Sequence, residues 1–197
     1  LSVFRGGFTR EAAGQVVIGA EASPQRLATL VRKSFLQHDP AESRYQIHEL
    51  LRQYGAEKLA QNPTLHAAVR DEHSRHYCDL LGQQEMGIKA GVLHEIMQAI
   101  QGDIENVRAG CMWAATEGPL KRLEQAVNPL GWFYYRGYAS FQQGEITFRG
   151  LGDALAADET RPASGTPPQR TMARILAWRS LFRTYAYDLQ TSERLLD

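Results

Sequence analysis

Cysteine is scarce in this sequence, with two among 197 residues, and in an intracellular-looking composition so few exclude a disulfide framework. Charge of one sign is not in excess either. Lys and Arg number 22 and Asp and Glu also 22, so the global positive field behind non-specific nucleic-acid binding is missing and any DNA contact needs a local patch. No apolar run approaches the roughly 18 residues required to cross a bilayer, and the N-terminus has neither a basic n-region nor an apolar h-region. The expectation is a soluble, cytoplasmic chain with no membrane partner. GxxxxGK[ST], GxSxG and HExxH are all absent, and the dispersed carboxylates read as solvated helix faces, so no enzymatic role and no catalytic residue is expected.

What is present suffices for a real core. A chain of this length buries roughly 70% of its extended surface, and 43% of its residues are apolar. Leu1, Val3 and Phe4 followed at once by Gly6 and Gly7 read as a cut through an element, and the C-terminal SERLLD stops inside a helical pattern. A piece of a longer protein is therefore expected. Thr9 can cap a short helix carrying Ala12, Ala13, Val16 and Val17, and Ser23-Pro24 is an N-cap with proline at the first helical position, opening a helix through Lys33. Residues 34–38 and 44–47 read as two short strands around the turn-rich 39–43. Leu50, Leu51, Tyr54 and Leu59 then lie at helical spacing up to the break at Asn62-Pro63. Helix, helix, hairpin, helix is the outline of a winged-helix module.

Beyond Pro63 every periodic segment is helical. Leu65, Val69, His76, Tyr77, Leu80 and Leu81 mark one helix, and Ile96, Ile100, Ile104, Val107, Cys111 and Ala114 a second of near 25 residues. Pro119 starts a third with Leu123, Val127, Leu130 and Tyr134; Gly144 separates it from a fourth carrying Ile146, Leu151 and Leu155. Residues 158–171, DETRPASGTPPQRT, read as a flexible loop. A helix over 172–187 carries Ile175, Leu176, Leu181 and Phe182, and Asp188-Leu189-Gln190 turns into a last helix from Thr191. Helix pairs about 35 to 50 residues apart suggest degenerate tetratricopeptide-like repeats. The fold expected is mainly α: a partial winged-helix module with a short β-hairpin over 1–62, then an antiparallel TPR-like helical array over 63–197.

Four groups of side chains invite a functional reading. His73, His76 and Cys78 lie together beside Glu72, but only the two histidines share a helical face, so no metal is expected; His76 should pack near Tyr77 and His73 should be solvated. Cys111 sits on an apolar stripe and reads as a small buried hydrophobe. Arg26, Arg32 and Lys33 occupy the helix that would be the recognition helix of a DNA-binding winged helix, a thin patch on which direct DNA binding is not expected. Trp132, Phe133, Tyr134, Tyr135, Tyr138 and Phe141 are too many for one core. The candidate partner surface is therefore Trp132, Tyr135, Tyr138, Trp178 and Tyr185, where aromatic rings make good anchors.

The strings LSVFRGGFTREAA, LATLVRKSFLQHD, RYQIHELLRQYGAEKLA and DIENVRAGCMWAATEG resemble the segment that follows the nucleotide-binding domain in bacterial STAND-type ATPases. These are relatives of the NB-ARC proteins that include LuxR-like and SARP-like transcriptional regulators. The resemblance covers nearly the whole chain, strongest over 1–59 and 103–113. It implies a winged helix ending in an Ile/Leu-His-Glu/Asp-Leu motif, here Ile47-His48-Glu49-Leu50, and a sensor array beginning with Glu/Asp-Asn-Leu-Arg-Ala, here Glu105 to Ala109. It further implies that His48 donates a hydrogen bond to the β-phosphate of ADP in the full-length parent. The phosphate loop would lie in an upstream nucleotide-binding domain, so no cofactor is expected for this segment alone, with ATP or ADP in the parent. The other partner implied is an inducer or protein of unknown identity. The sequence alternatives are a DNA-binding winged helix with a helical dimerisation domain, and a protein-binding scaffold.

Overall fold

The structure, a computed structural model, describes residues 1–17, 22–90, 94–136, 140–157 and 168–194. It is mainly helical, with a small three-stranded antiparallel sheet. By internal contacts the described chain forms two compact units, one of residues 1–77 with 102–110 and the other of 78–101 with 111–197.

In the first unit, strand β1 (Phe8–Thr9) leads into helix α1 (Arg10–Val16), whose N-cap is Thr9 with its side chain accepting the Ala12 N–H at 3.1 Å. Helix α2 (Pro24–Arg32) is capped by Ser23, whose hydroxyl accepts from the Arg26 N–H at 3.3 Å. Both caps stand where Ser and Thr oxygens can satisfy an orphan N–H of the first turn. Strands β2 (Leu36–Asp39) and β3 (Arg44–Ile47) form the expected hairpin, pairing Leu36 with Ile47 and Asp39 with Arg44. The Asp39 carboxylate accepts from the Ala41 N–H at 2.9 Å and closes the turn. The sheet order is β1-β3-β2.

Two corrections apply to this unit. Strand β1 has no signature in the sequence, because two residues show no alternation; it exists by pairing Phe8 with Tyr45 and Thr9 with Arg44. The hairpin begins at Leu36 rather than residue 34, since Ser34 adopts φ 60° and ends α2 in a Schellman arrangement, with the Ser34 N–H on Val31 O and the Phe35 N–H on Leu30 O, both at 2.9 Å. Helix α3 (Glu49–Ala60) follows with His48 as N-cap. Two of its four regularly spaced apolar residues face water, Leu50 at 68% and Tyr54 at 60% exposure, while Arg52 takes a buried position. Helix α4 (Pro63–Ala90) starts after the break at Asn62, and helix α5 spans His94–Thr116. The core of this unit is Phe4, Phe8, Ala13, Leu27, Leu36 and Tyr77, with Phe4 and Phe8 stacked at 4.5 Å.

The second unit is built on helices α6 (Leu120–Tyr135), α7 (Phe141–Ala156) and α8 (Pro168–Arg194). Leu123, Val127, Leu130, Phe133 and Tyr134 of α6 are fully buried with Phe148 of α7 and Ile175 and Phe182 of α8. Helix α6 runs through Pro129, which is itself buried.

Here three expectations fail. Gly144 does not separate helices; it lies inside α7, capped instead by Ser140, because the Phe182 ring passes so close that a Cβ at residue 144 would sit 2.9 Å from its Cδ2. No turn interrupts 188–190, for α8 continues to Arg194. Of the loop expected over 158–171, residues 168–171 instead belong to α8, which begins at Pro168, and Thr171 is fully buried; residues 158–167 lie outside the described residues.

Candidate functional site

His48 sits between the end of β3 and the first turn of α3. Its Nδ1 accepts the Leu50 N–H at 3.3 Å, so the imidazole replaces the usual Ser or Asp oxygen as a helix cap. That acceptor role fixes the proton of the neutral ring on Nε2, and the residue is exposed. His48 thus offers one N–H donor to whatever approaches the N-terminus of α3.

Beside it lies a pocket of about 200 Å³, lined by Phe4, Arg5, Gly6, Gly7, Gln46, Ile47, Glu49 and Arg52. The glycine pair in its lining lies in the left-handed region, at φ 69° and 94°. A Cβ on Gly7 would stand 2.9 Å from the Tyr45 carbonyl oxygen of β3, so the close approach of these two backbones needs glycine there. One wall is an ion pair: Arg52 grips Glu49 with Nε at 2.7 Å from Oε2 and Nη2 at 2.6 Å from Oε1. The hydrogen bond from Arg52, joined by one from Gln53, lowers the Glu49 carboxyl to about 2. The other wall is Arg5. Among the described residues its guanidinium has neither a hydrogen bond nor an ion pair, and burial, then the charges of Arg52 and Arg70, lower its pKa while Glu49 acts in the opposite sense.

Asn106 of α5 holds the Arg5–Gly7 backbone in place. Its Oδ1 accepts from the Arg5 N–H at 2.6 Å and stands 3.3 Å from His73 Nε2; its Nδ2 donates to the Gly7 carbonyl at 2.8 Å and to Asp103 Oδ1 at 3.1 Å. These four bonds are the full capacity of one amide, and the residue is completely buried. Asp103 extends the cluster by accepting from Arg44 Nη2 of β3 at 2.7 Å, while Arg44 also reaches the Gly102 carbonyl at 3.0 Å. The Tyr77 hydroxyl is 3.5 Å from the same carboxylate, and burial raises its pKa.

His73 corrects the expectation of a solvated side chain. It is 3% exposed, stands 5.4 Å from the Phe4 ring between centroids, and donates to Asn106, which fixes the neutral tautomer. Burial lowers its pKa to about 4. His76 packs edge-on against Tyr77 at 4.8 Å, as expected. No group of three or more metal-ligating side chains occurs among the described residues. Cys78 and Cys111 are both buried; hydrogen bonding with Cys78 and then burial raise the Cys111 thiol.

The aromatic surface is brought together in the second unit. Trp132 lies 5.6 Å from Tyr135 and 5.3 Å from Trp178, and Tyr135 lies 6.0 Å from Tyr185. Tyr138 lies outside the described residues. Trp178 rests on Gly131, where a Cβ would be 2.2 Å from its ring, and donates its indole N–H to Asn128 Oδ1 at 3.2 Å. Tyr185 is the most open of the four described rings, and the Arg136 guanidinium lies over Trp132 at 5.7 Å. On α2, Arg26, Arg32 and Lys33 are all exposed, with Arg32 donating to the Thr29 hydroxyl at 3.1 Å.

Asn106 and Arg5 were not singled out as site residues, although both stand in strings that carry the family resemblance. Spacing could not have found them, because the bonds between the two segments span about a hundred residues. Comparison with known proteins adds nothing to the geometry: no family model, curated protein or solved structure matches the chain.

Proposed function

We propose that this chain is the regulatory and interaction segment of a STAND-type signalling ATPase, in which a winged helix reports nucleotide state and a TPR-like helical array senses an inducer or partner. The single observation that carries the reading is His48, exposed at the N-cap of α3 with Nε2 left to donate. A helix N-terminus with its free N–H groups favours a phosphate nearby, and a hydrogen bond to that phosphate is charge-assisted, worth about 1.5 to 3 kcal/mol. Made only in the ADP-bound closed form, the bond would bias the switch by that amount. The connectivity β1-α1-α2-β2-β3 with sheet order β1-β3-β2 supports a winged helix, and the run of helices from α4 to α8 supports a repeat array.

The test uses the longer protein that carries the nucleotide-binding domain. His48→Ala should raise basal output and lower ADP retention by about tenfold or more, the factor equivalent to the lost bond. Unchanged retention and output overturn the reading, as does micromolar ADP binding by this chain alone in calorimetry. The second reading, a DNA-binding winged helix, rests on the exposure of Arg26, Arg32 and Lys33 on α2. Salt-dependent duplex binding that disappears when all three become alanine would favour it.

A further inference from the structure

We infer that the pocket between the Arg5–Gly7 segment and the start of α3 is a binding site for a carboxylate group. Arg5 lines the pocket partly buried, and among the described residues its guanidinium makes no hydrogen bond or ion pair, so its donors are open to a ligand. The only other charged residues lining the pocket are Arg52 and Glu49, which neutralise each other through two short hydrogen bonds. The pocket therefore carries a net charge of plus one from Arg5. That matches one carboxylate. A phosphate dianion would exceed the charge of Arg5 by one negative charge beside Glu49. The planar guanidinium fork suits two parallel bonds to carboxylate oxygens.

The site is also built before any ligand arrives. Asn106 fixes the Arg5 N–H and the Gly7 carbonyl, and the two left-handed glycines bring no side chain into the space. The Glu49 carboxylate is held by Arg52 at both oxygens, and Arg52 in turn donates its third nitrogen to the Ser2 carbonyl at 3.4 Å, so Glu49 is not free to swing across and pair with Arg5. The Gln46 side chain lines the same pocket and adds a neutral amide. This inference goes beyond the nucleotide reading and does not depend on it, since neither His48 nor a phosphate takes part.

The carboxylate has two possible sources, an acidic side chain of a protein or a free organic acid. The whole chain, labelled with nitrogen-15, is titrated at low ionic strength with N-acetyl-glutamate α-amide, with propionate and with inorganic phosphate, following the Arg5 Nε–H and the Gly6 and Gly7 amide signals. Saturable shifts with a carboxylate are expected, weakened by about tenfold or more in Arg5→Gln, the factor for one lost charge-assisted bond. Tighter binding of the glutamate amide assigns the protein source, and tighter binding of propionate the free acid. No saturable shift up to tens of millimolar, an equal shift in Arg5→Gln, or phosphate outcompeting both carboxylates overturns the proposal. Arg5→Lys keeps the charge but not the fork and should bind more weakly than the parent chain, which separates a planar two-bond contact from charge alone.

Discussion

The two compact units are held by different kinds of force. Around Asn106 the first unit depends on a buried polar cluster, in which one amide, one carboxylate and one imidazole tie together β3, α4, α5 and the glycine pair. The second unit depends on rings: Phe133, Tyr134, Phe148, Trp178 and Phe182 lie within 5.4 to 6.4 Å of one another in successive pairs. Directional bonds fail abruptly when one partner goes, because the groups left behind stay buried. Ring packing is less directional and fails in proportion to the volume disturbed. The first unit should therefore be the more sensitive to a single polar change and to pH, and the second to a single change of shape.

The largest effect is expected from Asn106→Ala. It strands the Arg5 N–H, the Gly7 carbonyl and the His73 ring in a buried place, at about 3 to 5 kcal/mol. The two units can be read separately, since Trp113, Trp132 and Trp178 all belong to the second. Hydrogen exchange of β1 and β3 amides should accelerate sharply while tryptophan fluorescence holds. Loss of both signals together would show that the polar cluster is not confined to its own unit.

His73 gives the next effect. Its proton is bound in the unfolded chain below 6.5 and in the folded chain only below about 4. The unfolded state binds more protons throughout that window, so stability is fully present above 6.5 and falls as pH drops toward 4. The fall amounts to roughly 3 kcal/mol, most of it already lost near pH 4.5. Glu11 and Glu49, whose pKa values are lowered, add their own losses only below 4.5, and the Leu1 amino group, whose pKa burial lowers, adds its loss from higher pH, so the difference in urea unfolding between the parent chain and His73→Gln, followed by first-unit amides between pH 6.5 and 5, isolates the histidine. In His73→Gln, which keeps a donor for Asn106, the slope due to this ring should vanish; an unchanged slope would place the acid sensitivity elsewhere.

What the sequence made legible follows the range of the interactions. The caps at Thr9 and Ser23, the hairpin turn at Asp39 and the helical stretches of α3, α5 and α6 are decided within three or four residues, and they stand where expected. His48 was legible as a helix-start histidine for the same reason. The misreadings are positions where a distant partner decides. Gly144 reads as a break until Phe182, 38 residues later in the chain, is seen to need its missing side chain. His73 reads as solvated until Asn106 and Phe4 cover it. Arg5 carries no local signal at all, since nothing within a few residues says whether its guanidinium has a partner.

The smallest of the structural effects tests the aromatic side of the comparison. In Gly131→Ala the new methyl would lie 2.2 Å from Trp178 Cε2, a distance no Cβ can keep, so either the indole or α6 must move. The indole is tethered at its N–H by Asn128 and stacked on Phe182 at 5.6 Å. Moving it costs about 1 to 3 kcal/mol, the usual range for overpacking. Because Trp178 also touches Trp132, the displacement should change tryptophan emission in the folded state as well as lower the unfolding midpoint. If stability falls with emission unchanged, α6 has yielded instead and the indole is the more rigid partner. If neither moves, ring packing at this edge absorbs a methyl group, and the expected sensitivity of the second unit to a change of shape is overturned.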